Sequence, residues 1–123
     1  MNFKLGLILL FAGIGLVLGQ TANHFPTVEN VRLVQRTDGS LIVDIYYNAR
    51  DVDGDTLLVS VQASSDNGIT WTYACTQLSG DIGKIVPGTN KRIVWNFNVD
   101  HTRVAGTGFR VKVYADDRKG ANL

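Results

Sequence analysis

Three aspartates at alternate positions, Asp51, Asp53 and Asp55, form the pattern D-x-D-G-D around Gly54. Carboxylate oxygens are the hard ligands that calcium prefers, and alternate acids around a glycine turn can direct several of them to one ion. An EF-hand loop also needs a bidentate acid at its twelfth position, where this chain has Gln62. The pattern therefore favours an acidic, solvated connection between strands, and weak calcium binding at the three aspartates is the alternative.

Few residues could support nucleophilic catalysis. The chain has one cysteine, Cys75, and two histidines, His24 and His101, and no motif supports a Cys75–His101 pair. The sequence also has no phosphate-binding loop, no cluster of metal-binding His or Cys residues and no dinucleotide fingerprint. We therefore expect no catalytic residues and no cofactor, and we expect Cys75 to be a small, half-buried apolar residue on a strand.

The segment from Ser64 to Trp71 reads S-x-D-x-G-x-T-W. It resembles the Asp-box, a hairpin motif that recurs in sialidases and other propeller proteins. The resemblance implies structural roles: Asp66 caps the turn, Gly68 takes a positive φ and Trp71 packs at the start of a strand. The motif occurs once in a chain too short for a propeller, so the resemblance implies the hairpin and not the sialidase activity.

Elements that could position these residues are predicted from the apolar pattern, which has a period of two from Thr27 onward. Successive strand side chains point to opposite faces, so such alternation predicts strands with one buried face. Trp71 and Trp95 begin or centre apolar sets and are both expected to be largely buried. The clearest strands are predicted over 41–48, 57–63 and 109–115, and shorter ones over 28–35, 70–76 and 92–97.

Turn residues punctuate the chain between these predicted strands. Asp38-Gly39 is a strong hairpin signal, and further Gly, Asp, Asn and Pro clusters occur at 53–55, 66–68, 79–81 and 87–88. The mature chain shows no helical pattern. The sequence therefore predicts an all-β protein, an antiparallel sandwich of six to eight strands.

The first 19 residues have the three-part organisation of a secretory signal. Lys4 provides the positive start, 5–18 is an uncharged apolar run, and Val17-Leu18-Gly19 precedes a cleavage site ahead of Gln20. The run has 14 residues, whereas a bilayer span needs about 20, which favours a cleaved signal. An uncleaved membrane anchor is the alternative. The predicted organisation is a signal peptide (1–19), a lead-in (20–26), a β-sandwich module (27–117) and a linker or truncated end (118–123). The product is expected to be secreted, periplasmic or at the cell surface.

The formal net charge is +1, without clustered Lys and Arg, which argues against nucleic acid as a partner. Tyr46 and Tyr114 each lie on the polar face of a predicted strand. Aromatic rings on a sheet can stack on sugars, so these two tyrosines are the candidate binding residues. The expected partners are a following domain, or an extracellular glycan or protein, with contact to a membrane only through an uncleaved signal.

An ordered series of motifs covers most of the mature chain: 28–31 (VENV), 35–40 (QRTDGS), 43–47 (VDIYY), 51–55 (DVDGD), the 64–71 hairpin, 79–83 (SGDIG), 87–96 (PGTNKRIVWN) and 109–117. The series resembles the N-terminal β-sandwich region of exported bacterial proteins whose C-terminal part is a formylglycine-generating, sulfatase-modifying-enzyme-like domain. The resemblance implies a fold similar to fibronectin type III or immunoglobulin-like domains.

This resemblance spans roughly Val28 to Asp117 and supplies no catalytic residue, because the chain stops at Leu123, where the family's next domain would begin. It implies a non-catalytic binding, spacer or accessory module that leads a larger exported protein. The alternative is the N-terminal fragment of a sulfatase-modifying-enzyme-like protein whose catalytic domain lies beyond residue 123.

Overall fold

The computed structural model describes residues 4–5, 24–102 and 104–119. Within them the elements are β1 (Lys4–Leu5), β2 (Thr27–Gln35), β3 (Ile42–Arg50), β4 (Leu57–Ser64), β5 (Leu78–Gly80), β6 (Gly83–Ile85), β7 (Gly88–Asn96), α1 (Phe97–Asp100) and β8 (Arg110–Asp116). They form two sheets: sheet A in the order β1-β8-β4-β6, and sheet B in the order β2-β3-β7-β5. The predicted all-β antiparallel sandwich is confirmed, and the parallel pair β1–β8 is the exception to antiparallel pairing in the described residues.

The core lies between the two sheets and is built from alternate residues of each long strand. Ile45 and Tyr47 from β3, Leu57 from β4 and Val111 and Val113 from β8 are fully buried. Their outward-facing neighbours are mostly polar, which is the alternation expected of a sheet with one face in the core. Burial of these apolar side chains is the main force that holds the sheets together.

The two tryptophans occupy different environments. Trp95, in β7, is 2% exposed, as expected for a core residue. Trp71 is half-buried and lies outside the core, with the Lys112 ammonium group 4.2 Å from the centre of its ring. Trp71 therefore has most of its surface shielded from solvent without being part of the core, because the hairpin after β4 directs the indole over the outer face of sheet A and away from the space between the sheets.

The segment between β4 and β7 differs from its sequence prediction. Residues 70–76 were expected to form a strand, but they make only an isolated bridge between Tyr73 and Ala63. Two three-residue strands follow instead, β5 on sheet B and β6 on sheet A. The chain therefore crosses from sheet B to sheet A at Gly80–Gly83. The turn residues at 79–81 had predicted a turn there, but not a change of sheet.

This crossing is held by specific contacts. The Tyr47 hydroxyl donates to the Asp81 carbonyl oxygen at 2.6 Å, and the Asp81 N–H donates to the Arg92 carbonyl oxygen at 2.8 Å. Gly80 has φ 88°, and a Cβ there would lie 2.5 Å from the Arg92 carbonyl oxygen. Both the left-handed conformation and the close approach of the two backbones require glycine at this position.

A one-turn helix, α1, follows β7, although no helix was expected. Its last residue, Asp100, accepts hydrogen bonds from the Trp95 indole N–H at 2.9 Å, the Thr76 N–H at 2.7 Å and the Gln77 N–H at 3.2 Å. Asp100 thus fastens the loop before β5 to the end of β7. In the described part of the chain, no helix has the length and apolar character needed to cross a membrane.

Connections gather at the two ends of the sandwich. The strand registers place the 36–41 and 101–109 loops together at one end, here the upper end. The same registers place the 51–56 loop, the 86–87 turn and 117–119 at the other, the lower end. The predicted signal peptide, the cleavage site ahead of Gln20 and the chain after residue 119 lie outside the described residues, apart from Lys4–Leu5.

Candidate functional site

The D-x-D-G-D segment forms a tight turn at the lower end, between β3 and β4. The Asp53 N–H donates to Asp51 Oδ1 at 2.9 Å, and the Gly54 N–H donates to the Asp51 carbonyl oxygen at 3.0 Å. Gly54 has φ 72°, the left-handed conformation that a glycine adopts without steric cost. The three carboxylates would share one side of an extended segment, whereas the turn directs Asp53 towards His24 and leaves Asp51 and Asp55 close to each other.

Asp117 joins this turn from the other sheet. One carboxylate oxygen from each of Asp51, Asp55 and Asp117 lies within 4.8 Å of the other two. Asp117 is 5% exposed and follows β8, where a turn with Arg118 at φ 64° lets the Lys119 N–H donate to Asp117 Oδ1 at 2.9 Å. We call Asp51, Asp55 and Asp117 the lower-end carboxylate cluster.

Asp53 is not part of the cluster. Its carboxylate accepts a hydrogen bond from the His24 N–H at 2.9 Å, and the His24 ring nitrogen Nδ1 lies 3.2 Å from its other oxygen. Of the predicted set Asp51, Asp53 and Asp55, the structure groups Asp51 and Asp55 with Asp117 and places Asp53 against His24. Asp53 instead fastens the lead-in to the turn.

The cluster has the electrostatics of acids held close together. Burial, followed by the charges of Asp55, Asp53 and Asp117, raises the pKa of Asp51, although the Asp53 N–H opposes this. The N–H and then the ring of His24 lower the pKa of Asp53. Like charges at short range disfavour ionisation of a carboxyl group, whereas hydrogen-bond donors favour it. The pKa values of Asp51 and Asp53 are therefore shifted in opposite directions within the same turn.

Two oxygens of the cluster have no hydrogen-bond partner. Asp51 Oδ2 and Asp55 Oδ2 are both buried and accept no hydrogen bond from any described residue. The Lys119 ammonium group donates to the other oxygen of Asp55 at 2.7 Å and supplies one compensating charge. A buried carboxylate oxygen without a partner is costly, and a hard cation is a chemical group that removes this cost.

The donor set fits calcium in chemistry and is incomplete in number. Calcium takes six to eight oxygen ligands, and three carboxylates can supply only part of that shell. The arrangement thus resembles the weak sites of extracellular modules more than a tight intracellular sensor. Asp51, Asp55 and Asp117 are the residues that would hold the ion.

The two histidines lie at opposite ends of the sandwich. His24 lies at the lower end, whereas His101 lies at the upper end, where its ring stacks on Tyr73 with centroids 3.7 Å apart. His101 Nε2 lies 2.6 Å from the Ala74 carbonyl oxygen. Burial, followed by the charge of Asp100, raises the pKa of the Cys75 thiol to about 12, so the thiolate form is strongly disfavoured.

The two candidate binding tyrosines lie on opposite outer faces. Tyr46 is on β3 in sheet B, and the Arg32 guanidinium lies 4.8 Å from the centre of its ring. Tyr114 is on β8 in sheet A and donates to Gln62 Oε1 at 3.3 Å. Both side chains are half-buried and not fully exposed, and the structure does not bring them together into one platform.

The hairpin after β4 has the geometry of a polar turn. Asp66 accepts hydrogen bonds from the Ser64 hydroxyl at 2.6 Å, the Thr70 hydroxyl at 2.6 Å and the Thr70 N–H at 2.9 Å, which lower its pKa to about 2. Gly68 has φ 85°, and a Cβ there would lie 3.2 Å from the Trp71 ring. These contacts give Asp66, Gly68 and Trp71 a structural role in the turn.

Sequence reasoning missed two residues that organise the molecule, Asp117 and Asp100. Neither belongs to a motif that predicts a site, and the partners of each come from distant parts of the chain. The one available signal for Asp117 was its place just after the strand predicted over 109–115.

None of the protein-family models, curated proteins and solved structures compared with this chain matches it.

Proposed function

We propose that this chain is a non-catalytic β-sandwich module of an exported protein, in which it acts as a binding, spacer or accessory domain. Export is supported by the signal-like pattern of the first 19 residues. An accessory role is supported by the place of the module ahead of a further domain in the proteins that it resembles. No nucleic-acid partner is proposed, because the formal net charge is only +1.

The observation that carries the non-catalytic assignment is the environment of Cys75. A nucleophilic cysteine needs a low thiol pKa and a base within hydrogen-bond reach. Here the pKa of Cys75 is raised to about 12, and the neighbouring charge, Asp100, is negative. His101 is engaged with Ala74 and Tyr73, which makes it a structural side chain of the upper end.

Alkylation of Cys75 tests this assignment. At pH 8, iodoacetamide should modify the native protein about a thousandfold more slowly than the urea-unfolded protein, because a pKa near 12 leaves little thiolate. The unfolded chain is the matched control, since it carries the same cysteine with an ordinary pKa. Modification of the native protein faster than that of the unfolded chain would identify an activated nucleophile and refute the proposal.

The size of the native exported product separates the leading module of a larger protein from a free-standing one. The chain of 123 residues has a mass of 13.4 kDa. An antibody against the sandwich should detect a substantially larger species in the exported fraction of the source cells. A single band at or below 13.4 kDa would contradict the larger protein, and with it the alternative of an enzyme whose catalytic domain follows residue 123.

Weak calcium binding is a second candidate function. The observation that favours it is the pair of buried, unpartnered oxygens, Asp51 Oδ2 and Asp55 Oδ2, beside Asp117. An ion held there would contact β3–β4 turn residues and the segment after β8 at once. In an extracellular module this would stiffen the end from which the chain continues beyond Lys119.

A further inference from the structure

An apolar cavity opens at the upper end of the sandwich, far from the lower-end carboxylate cluster. It encloses about 200 Å³. Its walls come from the ends of β2, β3 and β7 and from the loop before β8, and they include Leu33, Leu41, Val43, Trp95, Phe97 and Phe109. We call it the end cavity.

The walls present aromatic and aliphatic surfaces to the cavity. The Trp95 indole N–H donates to Asp100, so this ring has no free donor for an occupant. Phe97 packs edge-on against both Trp95, at 5.1 Å between centroids, and Phe109, at 5.4 Å. Aromatic rings prefer such edge-on and offset contacts, and a further ring can extend the same arrangement.

Charge and polarity narrow the class of ligand. No charged residue is among the described residues that line the cavity, so an ionic ligand would lose its hydration without compensation. Apart from the Trp95 indole N–H, which donates to Asp100, Gln35 is the one side chain of this described lining with hydrogen-bonding groups, and it is exposed at the rim. One polar side chain is a poor match for the many hydroxyl groups of a sugar but suits a ring that carries a single hydroxyl.

Size gives a second, independent restriction. A dry apolar cavity of about 150 Å³ accommodates benzene, so a cavity of this volume has room for one ring and a small substituent. On the inner side Val43, Trp95 and Phe97 are packed in the core, so the cavity cannot enlarge in that direction without displacing them.

The backbone at the mouth is held in an unusual conformation. Leu41 has φ 57°, a left-handed conformation that costs a non-glycine residue free energy and persists only where surrounding contacts enforce it. Those contacts come from the 38–42 turn, where the Ser40 N–H donates to Asp38 Oδ1 and the Ile42 N–H donates to the Ser40 hydroxyl oxygen. The turn places Leu41 in the cavity wall before any ligand arrives.

From this lining, volume and geometry, we propose that the end cavity binds a neutral monocyclic aromatic molecule of the phenol type. The ring enters beside Leu33, Leu41 and Phe109, which are partly exposed apolar residues of the lining, and its hydroxyl group remains at the rim, where the Gln35 amide can hydrogen-bond to it.

Titration of the full chain with p-cresol, toluene and cyclohexanol, followed by tryptophan emission and by the rise in Tm, tests the proposal. p-Cresol should bind about fivefold more tightly than toluene, which corresponds to one net hydrogen bond, and more tightly than the non-aromatic cyclohexanol. Gln35→Leu should bring the Kd values for p-cresol and toluene close together, because it removes the polar group at the rim. Gln35 is exposed, so this variant should fold.

Ala105→Phe fills the cavity from its exposed side and should weaken p-cresol binding at least tenfold. Val86→Phe is the matched control, because Val86 is 68% exposed at the lower end, and it should leave the Kd unchanged. Absence of p-cresol binding up to its solubility, or equal effects of the two Phe variants, would overturn the proposal. Tighter binding of N-acetyltyrosinamide than of p-cresol would also overturn it, by assigning the cavity to a polypeptide side chain.

Discussion

A carboxylate oxygen of Asp117, just after β8, lies within 4.8 Å of a carboxylate oxygen of Asp51, just after β3. β8 belongs to sheet A and β3 belongs to sheet B, so these two acids meet where the two sheets come together at the lower end. With Asp55 they leave two buried oxygens without partners. This arrangement should lower the stability of the folded protein when no cation is bound, and a bound cation should restore that stability. Both effects can be measured.

Calcium should raise the Tm of the protein through this cluster. With a Kd of about 10⁻⁴–10⁻³ M, typical of extracellular modules, about 10 mM calcium stabilises the folded state by about 1.4–2.7 kcal/mol. Asp117→Asn should abolish the rise in Tm, whereas Asp53→Asn should preserve it because Asp53 faces His24. Melting curves with calcium and with chelator measure the rise in Tm for each variant. If both variants lose the rise equally, Asp51, Asp55 and Asp117 are not the ligand set.

The two tryptophans should differ in their contribution to stability. Trp95→Ala removes a buried core ring and should lower the free energy of unfolding by about 3–5 kcal/mol. Trp71→Ala removes a half-buried ring on the outer face and its contact with Lys112, and should cost only about 1–2 kcal/mol. Urea denaturation of the two variants provides the measurement. Equal losses would mean that the outer-face position of Trp71 is incorrect.

Gly80→Ala should be more harmful than the neighbouring Gly83→Ala. Both glycines have positive φ, 88° and 77°, so both substitutions carry the conformational cost of about 1 kcal/mol. Only at Gly80 does the new Cβ meet a backbone oxygen, at 2.5 Å, whereas Gly83 has open space around it. Thermal unfolding should therefore show a larger loss for Gly80→Ala by at least about 2 kcal/mol. Similar losses would contradict the close backbone approach at the crossing.

Acid should weaken the hydrogen bonds that the Asp100 carboxylate accepts at the upper end. Burial raises the pKa of Asp100, but the hydrogen bonds from Thr76, Trp95 and Gln77 outweigh it and lower the pKa to about 2. Because the folded pKa lies below the unfolded value, the stabilisation is present above about pH 4 and is lost as pH falls towards 2.

Asp100→Asn should accordingly cost about 1–2 kcal/mol at pH 7, after allowance for solvent screening, and little at pH 2. Denaturation at a series of pH values measures the difference. The free energy of unfolding of the variant should still fall at low pH, and Asp66, whose pKa is also lowered to about 2, is expected to contribute to this. A loss of stability that is the same at pH 7 and pH 2 would show that the Asp100 charge is not involved.

The strands β3, β4 and β8 could be predicted from the sequence because one-sided burial imposes a period of two on them. β5 and β6 could not, since three-residue strands between turn residues carry too short a pattern, and their pairing depends on β7 and β4. A period of two also does not say which side of a hairpin a ring covers, so the position of Trp71 on the outer face of sheet A could not be predicted.

The candidate metal site was predictable in part. Asp51 and Asp55 follow from the D-x-D-G-D pattern, because the acids and the glycine are neighbours in sequence. Asp117 depends on the register of β8 on β4, in which Leu58 pairs with Asp116, and such a register is a property of the folded sheet. The exchange of Asp53 for Asp117 likewise depends on His24 of the lead-in, whose docking position no local pattern encodes.

The crossing at Gly80–Gly83 imposes an order of assembly on a chain that emerges from its N-terminus. β6 pairs with β4, which precedes it, so β6 can join its sheet as soon as it has been synthesised. β5 pairs with β7, which follows it, and it must wait although it precedes β6 in the chain. A nascent chain that ends before Gly88 therefore carries an unsatisfied β5 edge, and vectorial folding can close sheet B only when β7 arrives.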